Sequence, residues 1–293
     1  MPHSSASIEL AELGVLRIRG ADAVRFLQGQ LSNDLTRLGP GRALMAGYHN
    51  PQGRAIAVLR LLERAADDLL AVLPRELIGS VASRLARVVL RAKVRLSDES
   101  ESLRVLGAVQ DAAPAGLAVR ICEAPVRWLT LSERAADEAH ADGSAAARER
   151  WKLLDIAAGL PQVYARTSEA FVAQMLNLDL IDAIAFSKGC YTGQEVIARA
   201  HYRGRVKRRM QRWRTLAPAE LEPGESGVLA DGRGFRVVEC ARLADGRCEF
   251  LAVAPLEARA TDTAPDAEET PPGAGGHPAL EAEPLALPYA LPS

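Results

Sequence analysis

The sequence predicts an α+β fold completed by a small all-β unit, and three observations carry that prediction. Strand and helix signals alternate through residues 1–100. A weaker stretch of short strands then leads into an amphipathic helix. From residue 205 to 254, short apolar runs are broken by Pro223-Gly224, Asp231-Gly232 and Asp245-Gly246, the pattern of a small β-barrel. The 293 residues, 48% hydrophobic and 25% charged, suffice for two or three domains of ordinary globular composition.

Each element has its own local reason. Residues 14–19 (Val15, Leu16, Ile18) read as a strand, and Asp22 is placed to cap a helix carrying Val24, Phe26, Leu27 and Leu31. Residues 43–49 and 55–62 flank Asn50-Pro51-Gln52-Gly53, whose proline second and glycine fourth suit a type I turn, so a β-hairpin is expected. Residues 69–73 suggest another strand. Pro74 then opens a helix with Leu77, Val81, Leu85 and Val88 along one face. Residues 103–109, 117–122 and 126–131 read as strands. Residues 133–150, rich in alanine and charge, read as helix or exposed loop, and 151–159 continue as a helix ended by Gly159 and Pro161. Residues 258–283 turn to Pro, Gly, Ala and acid, the composition of a disordered linker. Apolar character returns in Pro284-Leu285-Ala286-Leu287-Pro288-Tyr289, read as a tail that docks back, with a frayed terminus as the alternative.

Composition excludes several classes. A net charge of −1 argues against a general polyanion binder. No apolar run of about 18 residues offers a membrane span, and the first twelve residues carry Glu9 and Glu12 without a signal-peptide pattern. The four cysteines, Cys122, Cys190, Cys240 and Cys248, include no Cys-x-x-Cys pair, so neither a zinc site nor a disulfide scaffold is indicated. A monomer in a reducing cytoplasm is the expectation, with Cys122, Cys240 and Cys248 structural.

Chemistry concentrates in Lys188-Gly189-Cys190-Tyr191-Thr192-Gly193-Gln194-Glu195. Thr192 and Glu195 have capping-box spacing ahead of Val196, Ile197 and Ala198, so a helix is expected to run on from Gly193. Cys190 would lie near the positive end of that helix and beside Lys188, and both effects favour the thiolate. The alternative is a structural turn with a merely small cysteine, and the residues alone leave the two open. A second feature is eight basic residues without an acid between 199 and 214: Arg199, Arg203, Arg205, Lys207, Arg208, Arg209, Arg212 and Arg214. With Tyr202 and Trp213 interleaved, this run suits phosphates or RNA, or else a solvated strand face. His201 lies eleven residues beyond Cys190, and nothing in the sequence brings the two together.

The 188–195 string, with Val196-Ile197-Ala198-Arg199 and Arg203-Gly204 after it, resembles the signature of the YgfZ-type folate-binding proteins, relatives of the glycine-cleavage T-protein. Phe26-Leu27-Gln28-Gly29-Gln30-Leu31, the Asn50 turn, Ala158-Gly159-Leu160-Pro161, Asn177-Leu178-Asp179 and Leu287-Pro288-Tyr289 extend the resemblance. It implies an aminomethyltransferase-like ring of subdomains around a folate pocket. In this chain that gives residues 1–100 with 148–202, a second subdomain at 101–147, a β-barrel at 203–257, the linker at 258–283 and the tail at 284–293. It further implies Cys190 as the functional thiol, Trp151 lining a tetrahydrofolate or related folate site, and support of iron–sulfur client enzymes and through them of tRNA modification.

Departures from the family pattern qualify this. The acidic pair of the aminomethyltransferases is replaced by Ala57 and Val58, so aminomethyl transfer is not expected. A second folate-site tryptophan falls at Leu13, and the pterin-gripping acid at Ala157; the latter loss should weaken pterin affinity by about 1.5–3 kcal/mol. Asp155 lies on the same helix but two residues earlier, on a different side. Two other readings stand beside the iron–sulfur one: a one-carbon transferase with rearranged catalytic groups, and a tRNA-binding module using residues 199–214.

Overall fold

The structure, a computed structural model, describes residues 7–134, 141–203, 206–256 and 279–292. Its elements in chain order begin with β1 (Ile8–Glu9), β2 (Leu13–Arg19), α1 (Ala23–Gln28), β3 (Ala43–His49), β4 (Ala55–Ala65), β5 (Asp68–Pro74), α2 (Ile78–Val89) and β6 (Arg95–Asp98). There follow β7 (Leu103–Val109), β8 (Leu117–Glu123), β9 (Val126–Glu133), α3 (Ala145–Ala157) and α4 (Gln194–Arg203). The last strands are β10 (Arg208–Thr215), β11 (Ser226–Val228), β12 (Gly234–Arg242), β13 (Cys248–Pro255) and β14 (Ala282–Leu285). They form three sheets ordered β3-β4-β5-β2-β6, β1-β7-β9-β8 and β11-β12-β13-β10-β14.

The most apolar runs become the middle of the first sheet. β5 is buried at every residue, and β4 from Ala55 to Leu62. Because successive side chains of a strand point to opposite faces, such runs need cover on both sides. Leu69, Ala71 and Leu73 of β5 pack with Phe26 and Leu27 of α1 and with Val81 and Leu85 of α2. Leu70 and Val72 join a second core with Leu103, Leu129, Leu131 and Trp151. The third sheet encloses Trp213, Phe235 and Phe250, with Trp213 stacked on Phe250 at 5.8 Å. Its Val238, Ala241, Leu251 and Val253 belong to the first core, which seats this sheet on the body. Helix α3, capped by Ser144 through Ala147 N at 3.2 Å, packs on β1, β12 and β13 and reaches β4 of the first sheet through Asp155 and Arg60, so it touches all three sheets.

Several expectations change. β1 pairs with β7, so the first residues belong to the second sheet rather than to the 1–100 unit. Helix α3 starts at Ala145, inside the stretch assigned to 101–147. Val88 is 43% exposed, because the apolar face of α2 follows Ile78, Val81 and Leu85 and has turned away by Val88. Asp22 makes no capping bond; its carboxylate accepts instead from Lys93 N at 2.8 Å and pairs with Arg25. Among the described residues no continuous ladder closes the third sheet into the expected barrel: its edge strands meet there near one parallel bridge, Leu229 to Leu280. Of the linker placed at 258–283, residues 258–278 lie outside the described residues, while Ala282 and Glu283 already pair with β10.

The tail residues return to the body. β14 lies antiparallel on β10, and Leu287 packs against the first core. Tyr289 Oη donates to Gly159 O at 2.9 Å and accepts from Asn177 Nδ2 at 3.3 Å. Gly159 has φ +62, and a methyl there would lie 2.6 Å from the Tyr289 hydroxyl. Tyr289→Phe should therefore lower stability by about 1 kcal/mol with an unchanged urea m-value, read from the denaturation midpoint.

Candidate functional site

The 188–195 motif folds as a strap that ends at the start of α4. Phe186, at its beginning, stacks on His201 near the far end of that helix, with ring centroids 3.8 Å apart and planes at 18°. The strap thus doubles back alongside α4. Lys188 anchors it: Nζ donates to the carbonyls of Gln28 at 2.8 Å, Leu31 at 2.6 Å and Asn33 at 2.7 Å. Burial pushes this ammonium down to about 8, with the Asp34 carboxylate opposing the shift. Lys188 Nζ also stands 5.2 Å from the ring centre of Tyr191, which is 7% exposed. Between these two anchors Cys190 is exposed.

The other cysteines are engaged differently. Cys248 is buried and donates to Ala219 O at 3.0 Å, and Cys240 donates to Leu221 O at 2.8 Å, burial pushing its thiol up to about 12. Cys122 Sγ lies 3.7 Å from Ala124 O in an exposed contact. Cys190 is the one thiol both exposed and without such a hydrogen bond among the described residues.

The start of α4 interlocks with the β3–β4 turn. Gly193 has φ +83, and a methyl on it would stand 2.5 Å from Asn50 O; one on Gly53, at φ +72, would meet Val196 and Ile197 at 3.3 Å. Gly189, by contrast, has open space around it. The turn closes as expected, with Gly53 N donating to Asn50 O at 2.9 Å. Asn50 Oδ1 accepts from Gln52 N and Arg54 N, each at 3.0 Å, and Nδ2 donates to Glu169 Oε2 at 2.7 Å. Gln174 Nε2 donates to Ile197 O at 2.7 Å, fixing the helix from below. The capping box is not formed: Glu195 faces solvent and pairs with Arg199 at 3.2 Å. Lys188, with its three N–H groups on carbonyls, is committed to the strap rather than to the Cys190 thiol.

Sequence reasoning missed Glu169, Gln174 and His49. His49 is fully buried, folds over Gly47, and lies 6.5 Å from the Tyr191 ring, with neither ring nitrogen hydrogen-bonded. Burial pushes its pKa down to about 3. Only the glycine two residues earlier hints at this, since a methyl on Gly47 would stand 2.2 Å from the imidazole.

The folate-site residues lie elsewhere. Trp151 is 3% exposed and belongs to the second core, close against Gly107 and 5.1 Å from the Arg127 guanidinium. Asp155 is held by Arg127 at 2.7 Å and Arg60 at 3.3 Å. Ala57 and Val58 are core residues at 0% and 1% exposure. Beyond them Tyr164 Oη donates to Glu239 Oε2, and Cys240 N to Oε1 at 3.0 Å; burial raises this carboxyl to about 7. Leu13 pairs with Pro74 at the start of β2. Neither a free aromatic wall nor a free carboxylate is therefore present at the positions assigned to the pterin.

The basic run divides in two. On β10, Arg209 forms a buried pair with Asp179 at 2.9 Å, Arg212 and Arg214 pair with Glu249 at 2.7 and 2.6 Å, and Arg208 Nη2 donates to Gly234 O at 3.0 Å. Arg205 lies outside the described residues. Arg199, Arg203 and Lys207 face solvent.

No family profile matches the chain. A Haemophilus influenzae protein known only as an uncharacterized protein is 31% identical over 222 residues, spanning 75% of this chain and 77% of that one. Two proteins named tRNA-modifying protein YgfZ follow, from Serratia proteamaculans at 29% over 268 residues and from Enterobacter at 28% over 270. Each spans 82% of this chain, and 81% and 82% of the relative respectively. The crystal structure of glycine cleavage system aminomethyltransferase T from Bartonella henselae superposes with a TM-score of 0.65 over 86% of this chain and 79% of that one, at 13% identity. The fold is thus aminomethyltransferase-like. No helix among the described residues is long and apolar enough to cross a membrane.

Two outcomes test the architecture of the strap. Lys188→Met should cost on the order of 3 kcal/mol in urea unfolding, because three carbonyls lose their donor, and should raise hydrogen exchange across residues 186–193. His49 has a folded pKa below its unfolded value of 6.5, so the unfolded chain takes up the proton first. Its contribution to stability is complete above pH 6.5 and is lost as the pH falls towards 3. His49→Leu should flatten that part of the stability–pH curve, as measured by thermal melts across the interval.

Proposed function

The chain belongs to the YgfZ family, and we propose that it supports tRNA modification by maintaining iron–sulfur enzymes through the Cys190 thiol. The observation that carries the proposal is the mounting of that thiol. Cys190 is exposed on a strap whose neighbours Lys188 and Tyr191 are anchored inward. An accessible thiol on a held backbone suits transient exchange or contact with a partner's metal centre, since reactivity requires access. The relatives named tRNA-modifying proteins supply the pathway end of the reading.

Tetrahydrofolate is the ligand that the family resemblance suggests, but Trp151 in the core and Asp155 between two arginines do not fit a pterin grip. Aminomethyl transfer is likewise unsupported, because Ala57 and Val58 offer no proton-handling group. Glu239, the raised carboxyl nearest to such a role, is buried and held by Tyr164 and Cys240 N.

In a strain lacking this protein, Cys190→Ala should fail to restore iron–sulfur-dependent tRNA modification while melting like the wild type. Full rescue by that variant would remove the thiol from the mechanism.

A further inference from the structure

We propose that the outer face of α4, with Phe186 of the strap, is a stacking platform for an unpaired segment of RNA. The choice of RNA rests on the reading above; the platform itself rests on geometry and charge. Phe186 and His201 stack at 3.8 Å, His201 meets Tyr202 edge-on at 4.8 Å, and Phe186 meets Tyr202 at 6.0 Å. Tyr202 is nonetheless 69% exposed, and Val196 on the same helix is 42% exposed. Phe186 packs against the first core and seats the cluster, while His201 and Tyr202 stay exposed, the kind of patch that a partner covers.

The charges around these rings point to a polyanion. Arg203 and Lys207 are exposed and make no ion pair among the described residues. Arg199, one turn before Arg203 on the helix, pairs only with Glu195, and both side chains are largely exposed, at 73% and 86%. Such a pair is weak and readily exchanged for a phosphate. The centre of a protein-docking surface is typically depleted of charge, whereas here cations alternate with rings along one helix. Aromatic faces for bases beside arginines for phosphates are the combination that holds single-stranded RNA. Division of the basic run strengthens the assignment: with the β10 arginines bonded internally, its solvent-facing members are Arg199, Arg203 and Lys207, the first two on the helix that carries Tyr202.

The test is fluorescence anisotropy with a labelled single-stranded pyrimidine RNA and with an intact tRNA transcript. Tyr202→Ala should weaken binding about tenfold, the loss of one stacked base, while Tyr202→Phe should bind like the wild type. Arg199→Ala with Arg203→Ala should reduce the log–log salt slope on the single strand by about 1.4, two phosphate contacts. Cys190→Ala should leave RNA affinity unchanged, so failure of the thiol reading and failure of the platform are read separately. Absence of RNA binding overturns the proposal. So does affinity indifferent to Tyr202→Ala and to the arginine pair, or a preference for fully paired duplex.

Discussion

The candidate site depends on one buried ammonium. Lys188 reaches from the strap into the loop after α1 and satisfies three carbonyls there, those of Gln28, Leu31 and Asn33. An unpaired buried carbonyl is costly, so one donor that serves three of them holds the turn together. The same contact that completes the loop therefore positions the thiol, two residues further on. Tyr191 secures the other side of Cys190 against His49, and Gly193 then passes so close to Asn50 that no side chain fits. The exposed cysteine is mobile only to the extent that these anchors allow.

Arginine organises the interior elsewhere. Arg127 is fully buried, pairs with Asp155, and covers the Trp151 ring; Arg209 binds Asp179 between the body and the third sheet. Buried guanidinium groups need partners in fixed directions, which favours one arrangement over its near alternatives. Asp155 is drawn into this role, and so the carboxylate nearest to Ala157 serves the packing of α3.

Local chemistry made much of this legible in advance. Asn50-Pro51-Gln52-Gly53 announces its hairpin because the turn needs only its own four residues. The 188–195 string marks the thiol, since its pattern is contiguous. What the string hides is its support: the carbonyls that hold Lys188 lie more than 150 residues away, and His49 also comes from a distant part of the chain. Distance also explains the basic run, whose β10 half is neutralised by Asp179, Glu249 and Glu283 from other parts of the chain. β1 is only two residues long, too short for periodicity to show, and β14 follows a segment whose composition masks its first residues.

One consequence concerns how the molecule comes apart. β2 and β5 send alternate residues into two different cores: Leu16 and Leu73 to one, Val15 and Val72 to the other. A slip of one position along either strand would exchange the two sets at once. The first two sheets therefore share a single wall, and neither core survives the loss of the other's strands. Shared strands of this kind couple the two cores into one unit, although the chain passes between the two sheets more than once.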